Sequence, residues 1–349
     1  MATNDKKYDN VIVFGPTGDV GGHAALTASQ HGAKVWLAMR NPSKAIPQLS
    51  HLSADEEAKS FTRVQADLTD ASSILAAVQQ SNAKAAYVYL VQTADALRSS
   101  LAAMKEGGIE YVVFLSSFSV PYGGGDVREV APSHIIAFAH AAVEAALEDL
   151  AIPHVALRPA YFASNAFKMG LDAAKFPDLE ANVLNGEYEV DCIAPDDIGR
   201  AAGALLVAAP GDLHAEKRDA KDGGKKGKSV FYLCGPQLVS QDRVFEIIGE
   251  VSGREVKVNH LSKDGMVEHL TSHGMPRPVA LYMAEALDKG FVEDQYRRDM
   301  YEQAVRNVET LTGREPMRFE DYVRLHLDEL VGKKAAAAAA AVPGGTFSS

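Results

Sequence analysis

The sequence predicts an α/β protein: a doubly wound parallel sheet followed by a smaller, mainly helical C-terminal lobe. Three observations predict it. Short runs rich in β-branched and aromatic residues alternate with helix-forming runs through the first half, a glycine series follows the first such run, and the rhythm loosens after Pro159. Parallel strands need helical crossovers, so this alternation implies a parallel sheet rather than a series of hairpins.

In chain order, Asp9–Phe14 reads as the first strand and Val20–His31 as a helix, with Lys34–Met39 and Phe61–Ala66 as the second and third strands. Ser72–Gln80 reads as a helix, Ala85–Val91 as the fourth strand and Ala94–Glu106 as a helix. Glu110–Leu115 is the fifth strand, Pro132–Leu150 a long helix and His154–Leu157 the sixth strand. Further on, Asp191–Ile193 and Ser229–Leu233 are short strand candidates, Pro195–Ala209 is a helix, and Ser240–Leu330 is mostly helical. Residues 1–159 are thus expected to form the sheet domain and residues 160–332 the second lobe, with some segments returning to the sheet. Residues 333–349, rich in alanine, form a low-complexity tail expected to fray. His214–Lys228 is polar and glycine-bearing, an exposed loop. Its GKS is not a phosphate loop, because Asp222 stands where the first glycine is required and no strand precedes it.

Composition narrows the function classes. A formal net charge of −11 over 349 residues argues against a nucleic-acid binder, which presents a basic face. The two cysteines, Cys192 and Cys234, lack C-x-x-C spacing, so neither a disulfide framework nor a metal site is expected. The polar N-terminal residues lack an apolar signal core, and no apolar run approaches the ~20 residues that cross a bilayer. The expectation is a cytoplasmic protein, off the membrane, whose partner is a small molecule.

The glycines carry the first chemistry. Gly15, Gly18 and Gly21 form G-x-x-G-x-x-G directly after a strand and at the mouth of a helix, with Pro16, Thr17, Asp19 and Val20 between and beside them. The first glycine permits a tight turn, the second lets the backbone approach a diphosphate, and the third lets the helix pack closely on the sheet. The helix N-terminus then offers unpaired N–H groups and the positive end of its dipole. This is the Rossmann-type arrangement for a dinucleotide. At the end of the second strand an NAD-binding chain carries Asp or Glu for the ribose 2′-hydroxyl. Here the turn is Met39-Arg40-Asn41-Pro42-Ser43-Lys44, and Arg40 and Lys44 suit a 2′-phosphate, so NADP(H) is the expected cofactor. Asp67 and Leu68, ending the third strand, stand beside the adenine, or Asp67 caps the following helix. Val91 and Gln92, ending the fourth, run past the ribose and diphosphate.

With these residues in hand, the chain resembles the NmrA-like and isoflavone-reductase-like family of atypical short-chain dehydrogenases. The resemblance spans roughly residues 10–199 and is carried by VIVFGPTGDVGG, MRNPSK, ADLTD, FLSS, HAAVEAALEDLAIPHVALRPAYFASN and DDIGRAA. It implies a Lys on the long helix, followed four residues later by Glu, facing the nicotinamide ribose. The matching residues are His140 and Glu144, one helical turn apart, so the Lys has become His; Ile136 stands where the superfamily's Tyr would be. His140 then either holds the ribose hydroxyls or donates a proton. The resemblance also implies that Pro159, Tyr161, Phe162, Ser164 and Asn165 form the loop against the nicotinamide, that the Tyr161 and Tyr122 hydroxyls reach substrate, and that Ser116 and Ser117 lie where a substrate-orienting serine is found. The function so implied is an NADPH-dependent oxidoreductase acting on a small organic molecule of secondary metabolism. A redox-sensing regulator that binds NADP(H) and a protein partner, and a non-redox isomerase or cyclase on the same fold, are the alternatives.

Overall fold

The computed structural model describes residues 8–120, 125–172, 178–208, 228–289 and 296–327. The apolar run Asn10–Phe14 (β1) is buried from Val11 onward, and a strand buried on both faces belongs at the centre of a sheet. Lys34–Met39 (β2) and Ala85–Tyr89 (β4) flank it, Phe61–Gln65 (β3) lies outside β2, and Tyr111–Leu115 (β5), His154–Pro159 (β6) and Lys228–Leu233 (β9) extend the other side. The order β3-β2-β1-β4-β5-β6-β9 is parallel throughout and reverses direction of growth at β1, which opens a crevice at the carboxyl ends of the strands. The predicted doubly wound sheet is present, with β9 as its seventh strand.

The crossovers follow the sequence with local differences. Helices Asp19–Gln30 (α1), Ala71–Ser81 (α3), Arg98–Gly107 (α4), Ile135–Asp149 (α5) and Pro195–Val207 (α6) match predicted helices. Helix α4 begins four residues later than Ala94, because Ala96 and Leu97 take left-handed conformations while Asp95 accepts from the Ser99 N–H. The fourth strand ends at Tyr89 rather than Val91. A short exposed helix, Ala54–Ser60 (α2), escaped the sequence reading; it buries no side chain and is held by a Ser53/Glu56 capping box. Helix α6 lies against α1 so closely that a Cβ on Gly203 would stand 2.5 Å from the Ala24 carbonyl oxygen.

The chain divides into two compact units. Residues 1–160, 195–234 and 298–315 form the first, which contains the seven-stranded sheet and Arg298–Thr312 (α10); residues 161–194, 235–297 and 316–349 form the second. The second unit holds two small sheets. Leu179–Val183 (β7) runs parallel to Val256–His260 (β11), a strand within the stretch predicted to be mostly helical, and Glu189–Val190 (β8) pairs antiparallel with Val239–Ser240 (β10). Helices Gln241–Ser252 (α7), Lys263–Ser272 (α8) and Arg277–Lys289 (α9) accompany them, and its core gathers Phe167, Val183, Phe245, Ile248 and Phe319.

The predicted strand Asp191–Ile193 is corrected by the same unit. Cys192 adopts a left-handed φ of 48°, which no strand tolerates, and the paired residues are instead Glu189 and Val190. The turn serves the Asp191 carboxylate. That buried group accepts hydrogen bonds from the Tyr161 N–H, the Gly235 N–H and the Tyr296 hydroxyl, each at 2.8 Å. Burial outweighs these three donors and pushes its pKa from 3.8 up to about 6. Between those values the folded chain holds a proton that the unfolded chain has lost. Stability from this group is therefore full below the unfolded pKa and declines as pH rises through about 6. Thermal melts across this window should show that decline in the wild type and its absence in Asp191→Asn, and an identical pH dependence for both proteins would contradict the assignment.

Candidate functional site

At the mouth of the crevice, the β1–α1 turn has the geometry that a diphosphate needs. Gly15 takes φ +67°, its N–H donates to the Ala38 carbonyl, and its own carbonyl accepts from the Gly18 N–H at 3.1 Å. A Cβ on Gly21 would lie 2.4 Å from the Gly15 oxygen, so only glycine lets the helix start press against the loop. Gly18 is the N-cap of α1 and supplies no side-chain acceptor, leaving the first-turn donors around Asp19 and Val20 without a side-chain cap. Pro16 and Thr17 form the arc between the two glycines. A diphosphate fits this loop.

Arg40 and Lys44 are exposed, and among the described residues neither side chain makes a hydrogen bond or ion pair. Two cations are thus presented without local neutralisation at the end of β2. The turn that carries them is fastened. Asn41 accepts from the Ser43 N–H through its side chain and from the Lys44 N–H through its carbonyl. From β3, Arg63 donates to the carbonyls of Pro42 and Lys44 at 2.9 and 2.8 Å while its Nε donates to Glu57 on α2 at 2.7 Å. Sequence reasoning missed Arg63, since only strand register brings it beneath the turn.

Asp67 does not cap α3. Asp70 does, accepting from the Ser72 and Ser73 N–H groups, while Asp67 accepts from the Thr69 N–H and hydroxyl in a turn of its own. Leu68 is buried in the apolar core of the first unit, and Val91 packs against the same core beside the exposed Gln92.

On the far side of β1, a buried polar network joins three strands and a helix. Glu144 on α5 is fully buried and receives Arg158 in bidentate fashion, Nε to Oε1 at 3.0 Å and Nη2 to Oε2 at 2.7 Å, together with the Ser116 hydroxyl at 2.6 Å. Arg158 also donates to the Tyr232 hydroxyl at 2.5 Å, and that hydroxyl donates to the Val120 carbonyl. Ser116, expected where a substrate-orienting serine is found, thus spends its proton on Glu144. Arg158 and Tyr232 were not among the predicted site residues; a cation in the middle of an apolar strand was the available signal.

His140, one turn before Glu144, is partly buried, with its ring tilted on Phe114 at 6.3 Å between centroids. Its Nδ1 lies 2.8 Å from the Ile136 carbonyl. A carbonyl only accepts, so Nδ1 carries the hydrogen and Nε2 is left as an acceptor. Burial pushes the ring's pKa down, outweighing the backbone hydrogen bond and the attraction of Glu144. The imidazole is neutral near pH 7.

Pro159 ends β6, its carbonyl accepting from the Phe118 N–H at 2.9 Å. Tyr161, Phe162, Ser164 and Asn165 belong to the second unit. The Tyr161 phenol is pushed well above its ordinary pKa by burial, so it stays protonated. Phe162 forms an isolated bridge with Ile193, Asn165 precedes a short π-helical turn, and the Ser164 hydroxyl is buried without a hydrogen-bond partner among the described residues. Tyr122 lies outside the described residues. Among those described, no group of three or more His, Cys, Asp or Glu is placed to hold a metal ion, and no helix is long and apolar enough to cross a membrane.

Comparison with known proteins agrees with this geometry. Residues 15–180 match the family model described as NAD(P)H-binding. The chain is 40% identical over 326 residues to the nitrogen metabolite regulation-like protein bik4 of Gibberella fujikuroi, covering 91% of this chain and 96% of that one. The chain belongs to the NmrA-like family of atypical short-chain dehydrogenases. A second relative, the isoflavone reductase homolog IRL of Zea mays, is 22% identical, with 82% and 87% of the two chains covered. The NADPH complex of the quinone oxidoreductase QOR2 from Escherichia coli shares the fold at a TM-score of 0.63 and 19% identity, covering 91% of this chain and 99% of that one. This NmrA-like chain therefore carries an NAD(P)H-binding domain.

The network around Glu144 sets the rigidity of the helix that presents His140. Glu144→Ala strands a buried guanidinium, and the expected loss is about 3–5 kcal/mol. Denaturant unfolding of the variant measures it, and a loss below ~1 kcal/mol would remove the pair from its structural role.

Proposed function

We propose that this NmrA-like protein is an NADPH-dependent reductase of a small organic substrate from secondary metabolism. The observation that carries the reading is the pair of unpartnered cations, Arg40 and Lys44, on a turn that Arg63 holds in place next to the glycine loop. A guanidinium grips a phosphate monoester through its planar fork, and an ammonium adds a point charge. Either group would gain little from the plain ribose of NADH.

The nicotinamide, when bound, supplies a hydride; the protein supplies binding and orientation. The β1–α1 turn seats the diphosphate with backbone N–H groups at Thr17, Asp19 and Val20, and Asp67 and Gln92 lie along the adenosine side. His140 accepts a ribose hydroxyl proton at Nε2, as its fixed tautomer dictates, and so holds the ribose in place of the family's Lys. Being neutral, it is a poor source for the proton that balances hydride transfer. That proton comes from solvent. Pro159, at the end of β6, is proposed to stand at the nicotinamide, as the family resemblance implies.

A redox-sensing regulator is the second reading. It is favoured by the name of the relative at 40% identity, nitrogen metabolite regulation-like, and by the absence of the superfamily's Tyr and Lys. A sensor must bind NADPH and NADP⁺ with different affinity, whereas a reductase must turn over. Incubation of the purified chain with NADPH and a panel of quinones, enones and aromatic ketones should consume the reduced nicotinamide with at least one acceptor. No turnover across the panel, together with a large difference in affinity between oxidised and reduced forms, would favour the sensor. In either case Arg40→Ala is expected to weaken NADPH binding by about 10- to 100-fold and NADH binding by less than about twofold. Calorimetric titration reads both values, and equal losses for the two nucleotides would defeat the cofactor assignment.

A further inference from the structure

Tyr89 ends β4, paired with Leu115 of β5, but its ring does not stay over its own strand. A Cβ built on Gly15 would stand 2.4 Å from Tyr89 Cε1 and 3.0 Å from Cζ. The phenol therefore reaches onto the bare first glycine of the β1–α1 turn, in the direction of β2 and β3. Its ring packs against the apolar core of the first unit, while burial raises its pKa and the charges of Arg40 and Asp67 act on it in opposite senses. The group is thus a protonated donor within electrostatic reach of an unpartnered cation. Among the described residues its hydroxyl makes no hydrogen bond, and it is not among the fully buried polar atoms.

Phenylalanine would pack on Gly15 equally well. What tyrosine adds is one O–H donor at the open end of the crevice, where packing has no use for it. We propose that Tyr89 is a specificity-determining residue of the dinucleotide site, its hydroxyl donating to the phosphoryl group on the adenosine ribose that Arg40 neutralises. The inference rests on the preference for NADPH argued above. It adds a third member to the grip, contributed from the opposite side of β1 and placed by the absence of a side chain at Gly15. The three groups divide the work: Arg40 and Lys44 supply charge, and Tyr89 supplies a short directional bond whose ring also bounds the ribose.

The test uses the full chain and two probes that isolate the adenosine half, 2′,5′-ADP and 5′-ADP. Tyr89→Phe keeps the ring on Gly15 and removes only the hydroxyl, so the fold is preserved. Calorimetry should show the variant losing about tenfold in affinity for 2′,5′-ADP, as expected for a hydrogen bond to a charged group, with 5′-ADP unchanged within about twofold. The NADPH-to-NADH preference should fall by the same factor. Should the wild type favour 2′,5′-ADP while Tyr89→Phe keeps that preference intact, or loses both probes equally, the role of Tyr89 is overturned and the cofactor reading stands. Should the wild type itself fail to distinguish the two probes, the cofactor reading fails and takes this inference with it.

Discussion

The carboxylate of Glu144 is the constraint on which the site half of the sheet depends. It is fully buried, and among the described residues Arg158 in β6 donates to it twice and Ser116 at the end of β5 once. Removing a charge from water is costly, and only a complete set of partners offsets that cost. Completeness fixes geometry. The helix carrying His140 cannot rotate or slide without uncovering the guanidinium, and Tyr232 extends the same lock to β9 and to the Val120 carbonyl. The apolar core beneath, with Val112, Phe114, Val143 and Leu147, has no directional preference of its own, so this polar set gives that packing its register.

Much of the first unit was legible because its signals are local. Strands such as Tyr111–Leu115 are short apolar runs between turn formers, and the glycine spacing of residues 15–21 has a mechanical reading that the structure repeats in its left-handed Gly15 and its tight contact at Gly21. Helix α2 was missed although its Ser53-x-x-Glu56 box stands in the sequence, because it buries nothing and so leaves no apolar period. Other features were not readable from one dimension. Arg63 looks like a surface cation until register sets it under the turn of residues 40–44. Asp67 and Asp70 both stand ahead of a helix, and only the hydrogen bonds distinguish the cap from the turn. Cys192 defeated a strand assignment for a reason outside its own neighbourhood: the carboxylate before it collects donors from residues 161, 235 and 296.

His140 stands where the family resemblance implies a Lys, and the two differ in charge near neutrality. A lysine would bring a fixed positive charge beside Glu144. The imidazole brings none near neutrality, because burial opposes its protonation and the Ile136 carbonyl fixes its tautomer. The Glu144 carboxylate is neutralised from β6 by Arg158. A site arranged this way is suited to holding a nucleotide and less suited to delivering a proton from the helix. That is why the same geometry is compatible with a reductase drawing its proton elsewhere and with a protein that only reads the cofactor's oxidation state.

The Arg63 fastening has an evolutionary corollary. Nucleotide choice in such folds is commonly thought of as a property of one short turn, transferable by exchanging its residues. Here the turn's shape is borrowed from a neighbouring strand and, through Glu57, from a helix beyond it. Grafting residues 40–44 alone into a relative would deliver the cations without the frame that aims them. If the turn selects the nucleotide as proposed, the heritable unit of that selectivity is the whole span from β2 to β3, and drift at position 63 would loosen it while every residue of the turn stayed the same.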